Sequence, residues 1–126
     1  MNHGRWQIDM AAGPIFGQIA ANVRQQLARG DLSPGQKLTS ARELAVELGV
    51  NPNTVAHAFA ELERMGIIET KRGLGTFVRQ DAPVSPMRVD MLAAAAFAFA
   101  AEARQLGVTR REALTALEEA WNARDA

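Results

Sequence analysis

A mainly α-helical chain carrying one small β hairpin is the fold class that the sequence predicts, on three observations. Apolar residues recur at helical spacing in three segments between residues 14 and 65. Residues 67–79 read as two β-branched and aromatic runs around a glycine pair. After two prolines in residues 81–86, the remaining stretch holds two more helical patterns. The chain has 126 residues, 48% hydrophobic and 22% charged, which is enough apolar side chain to bury a core and too little charge excess for a disordered chain. That length accommodates one domain and a small helical appendage, not a two-domain enzyme of ordinary size. With no cysteine, disulfide frameworks, thiolate nucleophiles and Cys-containing zinc sites are all excluded.

The elements follow in order. Pro14 opens the first helix, and Ile15, Ile19, Val23 and Leu27 give it one apolar stripe before Gly30 ends it. Residues 31–35 are a turn cluster. Ser40 is the N-cap of a short second helix, with Glu43 placed to reach back as a capping box, Leu44, Ala45 and Leu48 facing inward, and Gly49 closing it. Asn51 caps the third helix, Pro52 takes its first position, and Val55, Phe59 and Leu62 point inward, with Met65 nearby and Gly66 as the stop. Ile67 to Val78 then form a hairpin whose tip carries Lys71, Arg72, Gly73 and Gly75.

A helix-turn-helix followed by a basic-tipped hairpin is the order of parts in a winged-helix DNA-binding domain. The chemistry agrees with the order. With Val55, Phe59 and Leu62 turned to the core, Asn51, Asn53, Thr54 and His57 fall on or near the opposite surface. An asparagine amide can pair with adenine, a threonine can meet phosphate or a thymine methyl, and a helix N-terminus favours an anion. Net charge is zero, but residues 1–80 carry nine Lys/Arg against seven Asp/Glu, and residues 81–126 carry five against seven. A neutral total can thus hide a basic patch.

Residues 14–78, from PIFGQIAANVRQQLARG through LTSARELAVELGVNPNTV to the GLGTFV of the hairpin, resemble the GntR family of bacterial transcription regulators. VNPNTV together with the short tail resembles its YtrA-type branch. The resemblance implies a sequence-specific DNA-binding regulator, most simply a repressor, on a double-stranded operator. It assigns DNA contact to Thr39, Ser40 and Arg42 around the start of the second helix, to Asn51, Asn53 and Thr54, and to Arg72, Gly73, Gly75 and Thr76 of the wing, with Lys71 beside them. Thr39 stands where the family usually has proline, and His57 where it commonly has arginine.

Rival readings are weaker. Glu61 and Glu63 lie two apart on a helix and face different directions, and no nucleophile stands beside a histidine, so an enzyme is not expected. His57 lacks ligand partners, since His3 is the only other histidine, and neither a metal nor a cofactor is expected. A winged helix used only for protein–protein assembly is the alternative, and the cations at Arg42 and the wing argue against it.

The expected organisation is a DNA-binding domain over 1–80, a linker over 81–86 and a two-helix dimerisation region over 87–126. Residues 91–101 are apolar on every face of a helix, because Phe97 and Phe99 point about 200° apart. A second copy of the tail is the economical partner, with Met91, Leu92, Ala95, Phe99, Leu106, Leu117 and Trp121 as the seam of a homodimer and an inverted-repeat operator as its consequence. Forty residues in two helices leave only a shallow apolar site between them for a small-molecule effector. The apolar run of eleven residues is shorter than the about 20 of a spanning helix, and no secretory signal is visible, so a cytoplasmic protein without a membrane span is expected.

Overall fold

The structure, a computed structural model, describes residues 6–125; His3 lies outside them. Five helices and one antiparallel sheet follow in order: α1 (Ile15–Arg29), α2 (Ala41–Leu48), α3 (Pro52–Arg64), β1 (Ile68–Lys71), β2 (Gly75–Val78), α4 (Val84–Gln105) and α5 (Arg110–Asp125). The chain divides into two compact units, 1–88 and 89–126.

In the first unit the inward stripes of α1, α2 and α3 meet as their spacing predicts. Ile19, Val23 and Leu27 pack with Leu44, Val55 and Leu62, and Ile67, Ile68 and Val78 of the hairpin close the same core. Met65, expected near that stripe, is exposed at the end of α3. The caps are local. Glu43 N–H donates to Ser40 Oγ at 3.1 Å, the forward half of the expected capping box, and Gly49 ends α2 at φ 68°. Asn53 N–H donates to Asn51 Oδ1 at 2.8 Å.

Side chains of α1 also fasten the segment before it. Asn22, largely buried, exchanges hydrogen bonds with the backbone of Gln7 at 3.1 and 3.2 Å, and Gln18 does the same with Asp9 at 2.7 Å each way. An amide side chain offers both N–H donors and a carbonyl acceptor, so it can pair with a peptide as a neighbouring strand does.

The hairpin pairs Ile68 with Val78 and Lys71 with Gly75, leaving Arg72, Gly73 and Leu74 as its loop. Gly73 sits at φ 79°, a left-handed conformation that glycine takes without strain. A third extended piece joins β2. Leu38 N–H donates to Thr76 O, Val78 N–H to Gln36 O and Gly35 N–H to Val78 O, each at 2.8 Å. Residues 36–38 carry no strand pattern in the sequence. Three residues are too few to show a period of two, and the open edge of β2 supplies their hydrogen bonds.

The linker expected over 81–86 is shorter than that. Val84, Ser85 and Pro86 form the first turn of α4, where a helix N–H has no intrahelical partner and proline costs nothing. Met87, expected in the tail, is buried in the core of the first unit, and Arg88 Nε donates to Ala28 O at 2.7 Å.

In the second unit, Gly107 at φ 73° ends the α4 segment, and α5 opens on a reciprocal capping box between Thr109 and Glu112, both bonds 3.1 Å. The side chains there stay largely exposed. Within the 22 residues of α4 an 18-residue window reaches a mean hydropathy of 1.3, long and apolar enough to cross a bilayer by length and composition only. The eleven-residue apolar run is the middle of a longer helix, which continues past it at both ends, through Asp90 and Glu102.

Candidate nucleic-acid interface

The N-terminal ends of α2 and α3 and the hairpin carry the residues expected to meet DNA. Thr39 and Ser40, just before α2, line a groove of about 600 Å³ with Gly75 and Thr76 of β2, and with Ala56, Glu63 and Thr70. The structure thus gathers four of the expected residues around one concavity. Arg42 stands exposed on α2, with no hydrogen bond or ion pair among the described residues. Asn51 and Asn53 are exposed at the start of α3, whereas Thr54 is half-buried.

His57 is exposed but not free-standing. Its ring lies on that of Phe16 in α1, centroids 3.9 Å apart and planes within 14°, so the imidazole leans toward the α1 flank of α3. Farther along α3, Arg64 donates to Glu61 at 2.8 Å, and that hydrogen bond and charge hold the Glu61 carboxyl below its ordinary value and the Arg64 guanidinium above its own.

The hairpin cations differ from one another. Lys71 lies 3.6 Å from Glu69 and 5.0 Å from the centre of the Phe77 ring, close enough for a cation–π contact. Arg72, in the loop, is exposed and has no ion pair among the described residues. Arg79 at the base makes a bidentate pair with Asp81, at 2.7 and 3.1 Å, which lowers the Asp81 carboxyl below its usual range.

Three features escaped the sequence reading. Thr70 Oγ1 donates to Glu63 Oε1 at 2.6 Å, tying β1 to α3. The stem of Lys37 crosses Gly75, where a Cβ would stand 2.8 Å from Lys37 Cε, and Gly75 has φ 120°. Glycine at position 75 therefore makes room for this lysine. The Phe16–His57 stack is the third. Only the alternation of outward Lys37 with inward Leu38 could have signalled the second feature, and nothing local signals the other two.

Of the expected tail residues, Leu92, Ala95, Phe99 and Leu117 come together along an apolar groove of about 830 Å³ between α4 and α5. Met91, Leu106 and Trp121 do not line it.

Residues 16–78 match the gntR family of bacterial regulatory proteins. The HTH-type transcriptional regulator YhcF of Bacillus subtilis is 40% identical over 106 residues, which span 83% of this chain and 88% of that protein. The HTH-type transcriptional repressor YtrA of Bacillus subtilis is 48% identical over 77 residues, 60% of this chain and 59% of its own length. Among solved structures, a GntR family transcriptional regulator from Listeria monocytogenes aligns with a TM-score of 0.78 at 31% identity, covering 88% of this chain and 98% of that one. The DNA-binding domain of AraR in complex with operator ORX1 aligns at 0.51 and 27% identity, over 56% of this chain and 86% of that one. The matched segment runs from Phe16 at the start of α1 to Val78 at the end of β2, through each element that carries a candidate contact, and the chain belongs to the gntR family of bacterial regulatory proteins as a YtrA-like, winged helix-turn-helix transcriptional regulator.

Proposed function

We propose that the chain is a homodimeric repressor, acting in the cytoplasm on an inverted-repeat DNA operator. Each protomer lays α3 in the major groove, with Asn53, Thr54 and His57 toward the bases, Asn51 holding the helix end and Arg42 reaching in from α2. Thr39 and Ser40 approach the phosphates, and the wing residues Lys71, Arg72, Gly73, Gly75 and Thr76 follow the backbone. The name of the YtrA repressor, at 48% identity, supports the sign of regulation.

One observation carries the dimer. Around the α4/α5 groove, Leu92, Leu106 and Trp121 are 72%, 68% and 71% exposed, and Phe97 on another face of α4 is 78% exposed. So many large apolar side chains exposed on more than one face of the helix pair support an interface, and a twofold axis lets the same surface serve both chains. A small-molecule effector has the same groove as its available site.

Sedimentation of the full chain at micromolar concentration, followed by titration onto genomic fragments at two salt concentrations, tests the reading. A dimer whose affinity falls steeply with salt is expected, and Arg42→Ala weakens operator binding by about 1–3 kcal/mol. A monomer that binds its operator tightly as one copy per site overturns the dimer. Folded Arg42→Ala protein with unchanged affinity removes Arg42 from the interface.

A further inference from the structure

The outward surface of α3 is short of free charge. Between residues 53 and 64 its exposed residues are Asn53, Ala56, His57, Ala60, Glu63 and Arg64. By the helical period, Asn53, His57, Ala60 and Arg64 lie opposite buried Val55 and Leu62, and Ala56 lies on the flank that lines the groove toward the hairpin. The longer polar side chains there each have a partner within the chain: Arg64 holds Glu61, Glu63 accepts from Thr70, and His57 is stacked on Phe16. Asn53 differs from them. Asn51 Oδ1 takes its backbone N–H, while its side-chain amide makes no hydrogen bond among the described residues.

We propose that α3 reads A·T base pairs, with Asn53 as the specificity-determining residue for adenine and the methyl groups of Ala56 and Ala60 set against thymine methyls. The inference rests on the reading of α3 as the major-groove helix. Adenine presents an acceptor at N7 and a donor at N6, which the donor and acceptor of one amide match together. Thymine is the base with an apolar group in that groove, and an alanine methyl meets it without desolvating a polar atom. Guanine asks for two donors, the work of a free arginine or lysine, and the one cation on this face, Arg64, is committed to Glu61. Two short side chains also let the helix backbone approach the base edges closely. Arg42, carried on α2, stands outside this assignment.

The test selects binding sites for the full chain from a random duplex library, then replaces each thymine of the selected half-site by uracil, one at a time. A block of A·T pairs is expected in each half-site, with affinity falling about fourfold at one or two of the uracil positions through loss of a buried methyl group. Asn53→Ala is expected to lose the adenine preference at one position, by about tenfold, with binding to random-sequence duplex and the salt slope unchanged. Because Asn53 is exposed and alanine favours helix, this variant folds, which a melting curve verifies. Half-sites dominated by G·C across the positions sensitive to α3 substitutions overturn the proposal, as does indifference to uracil at every thymine, while operator binding itself stands. Failure of the library to enrich any sequence overturns the operator reading, and this inference with it.

Discussion

Asn51 and Asn53 stand two residues apart at the start of α3, are the same residue type and are both exposed, yet they have different work. Asn51 Oδ1 accepts the Asn53 N–H at 2.8 Å, so Asn51→Ala removes a helix cap. Loss of such a cap costs about 1 kcal/mol, within a range of about 0.5–2. In a unit of this size that lowers the melting temperature by about 4–8 °C per kcal/mol. Asn53→Ala removes no side-chain hydrogen bond that the fold uses and puts a better helix former on α3, by up to about 0.7 kcal/mol, so its melting temperature stays level or rises slightly. On DNA the order reverses. Asn53→Ala loses about 1–3 kcal/mol of specific operator affinity, whereas Asn51→Ala, measured well below its melting point, binds within about twofold of the parent. Thermal melts by circular dichroism and operator titration by fluorescence anisotropy supply both quantities. The reasoning is refuted by an Asn51→Ala protein that melts with the parent, or by one that loses as much operator affinity as Asn53→Ala.

Other expectations concern the wing, the tail and acid. Arg72→Ala should reduce the magnitude of the log-affinity against log-salt slope by about 0.9, one phosphate's worth, and Lys71→Ala by less, because Lys71 is partly committed to Glu69 and Phe77; equal reductions contradict that commitment. Phe99→Glu places a carboxylate on the apolar α4/α5 groove and should give monomers by sedimentation, with much weaker operator binding once the linked second half-site is lost; a dimer that survives moves the seam elsewhere. The Arg79 partner holds the Asp81 carboxyl below its usual value, so the stabilisation is present above the unfolded value near pH 4 and is lost as pH falls through the lower folded value. Melting curves of Asp81→Asn and the parent should therefore differ at neutral pH and converge in acid; a constant gap across the titration shows that the pair contributes nothing through charge.

The helices, their caps and the hairpin are legible in the order of the residues, because each of these is settled within a few residues. Ser40 finds Glu43, Asn51 finds Asn53, and Thr109 and Glu112 find each other, all within three positions along the chain. A glycine before each break and apolar spacing on each helix are likewise local, and residues 14–78 carry enough of them in register to declare the family. The outward placement of Arg42, Asn53 and Arg72 follows from the same spacing. Contacts between residues far apart in sequence arise only as the chain folds, since no local period constrains the partner. Residues 35–38 become a sheet edge because β2 lies beside them, His57 turns onto Phe16, Thr70 ties the wing to Glu63, and Arg88 caps a carbonyl of α1 sixty residues earlier. The same difference explains Met87, which reads as the first residue of the tail but is buried in the first unit's core: α4 begins a turn earlier than its prolines suggested, and Met87 joins the apolar cluster built by the preceding elements.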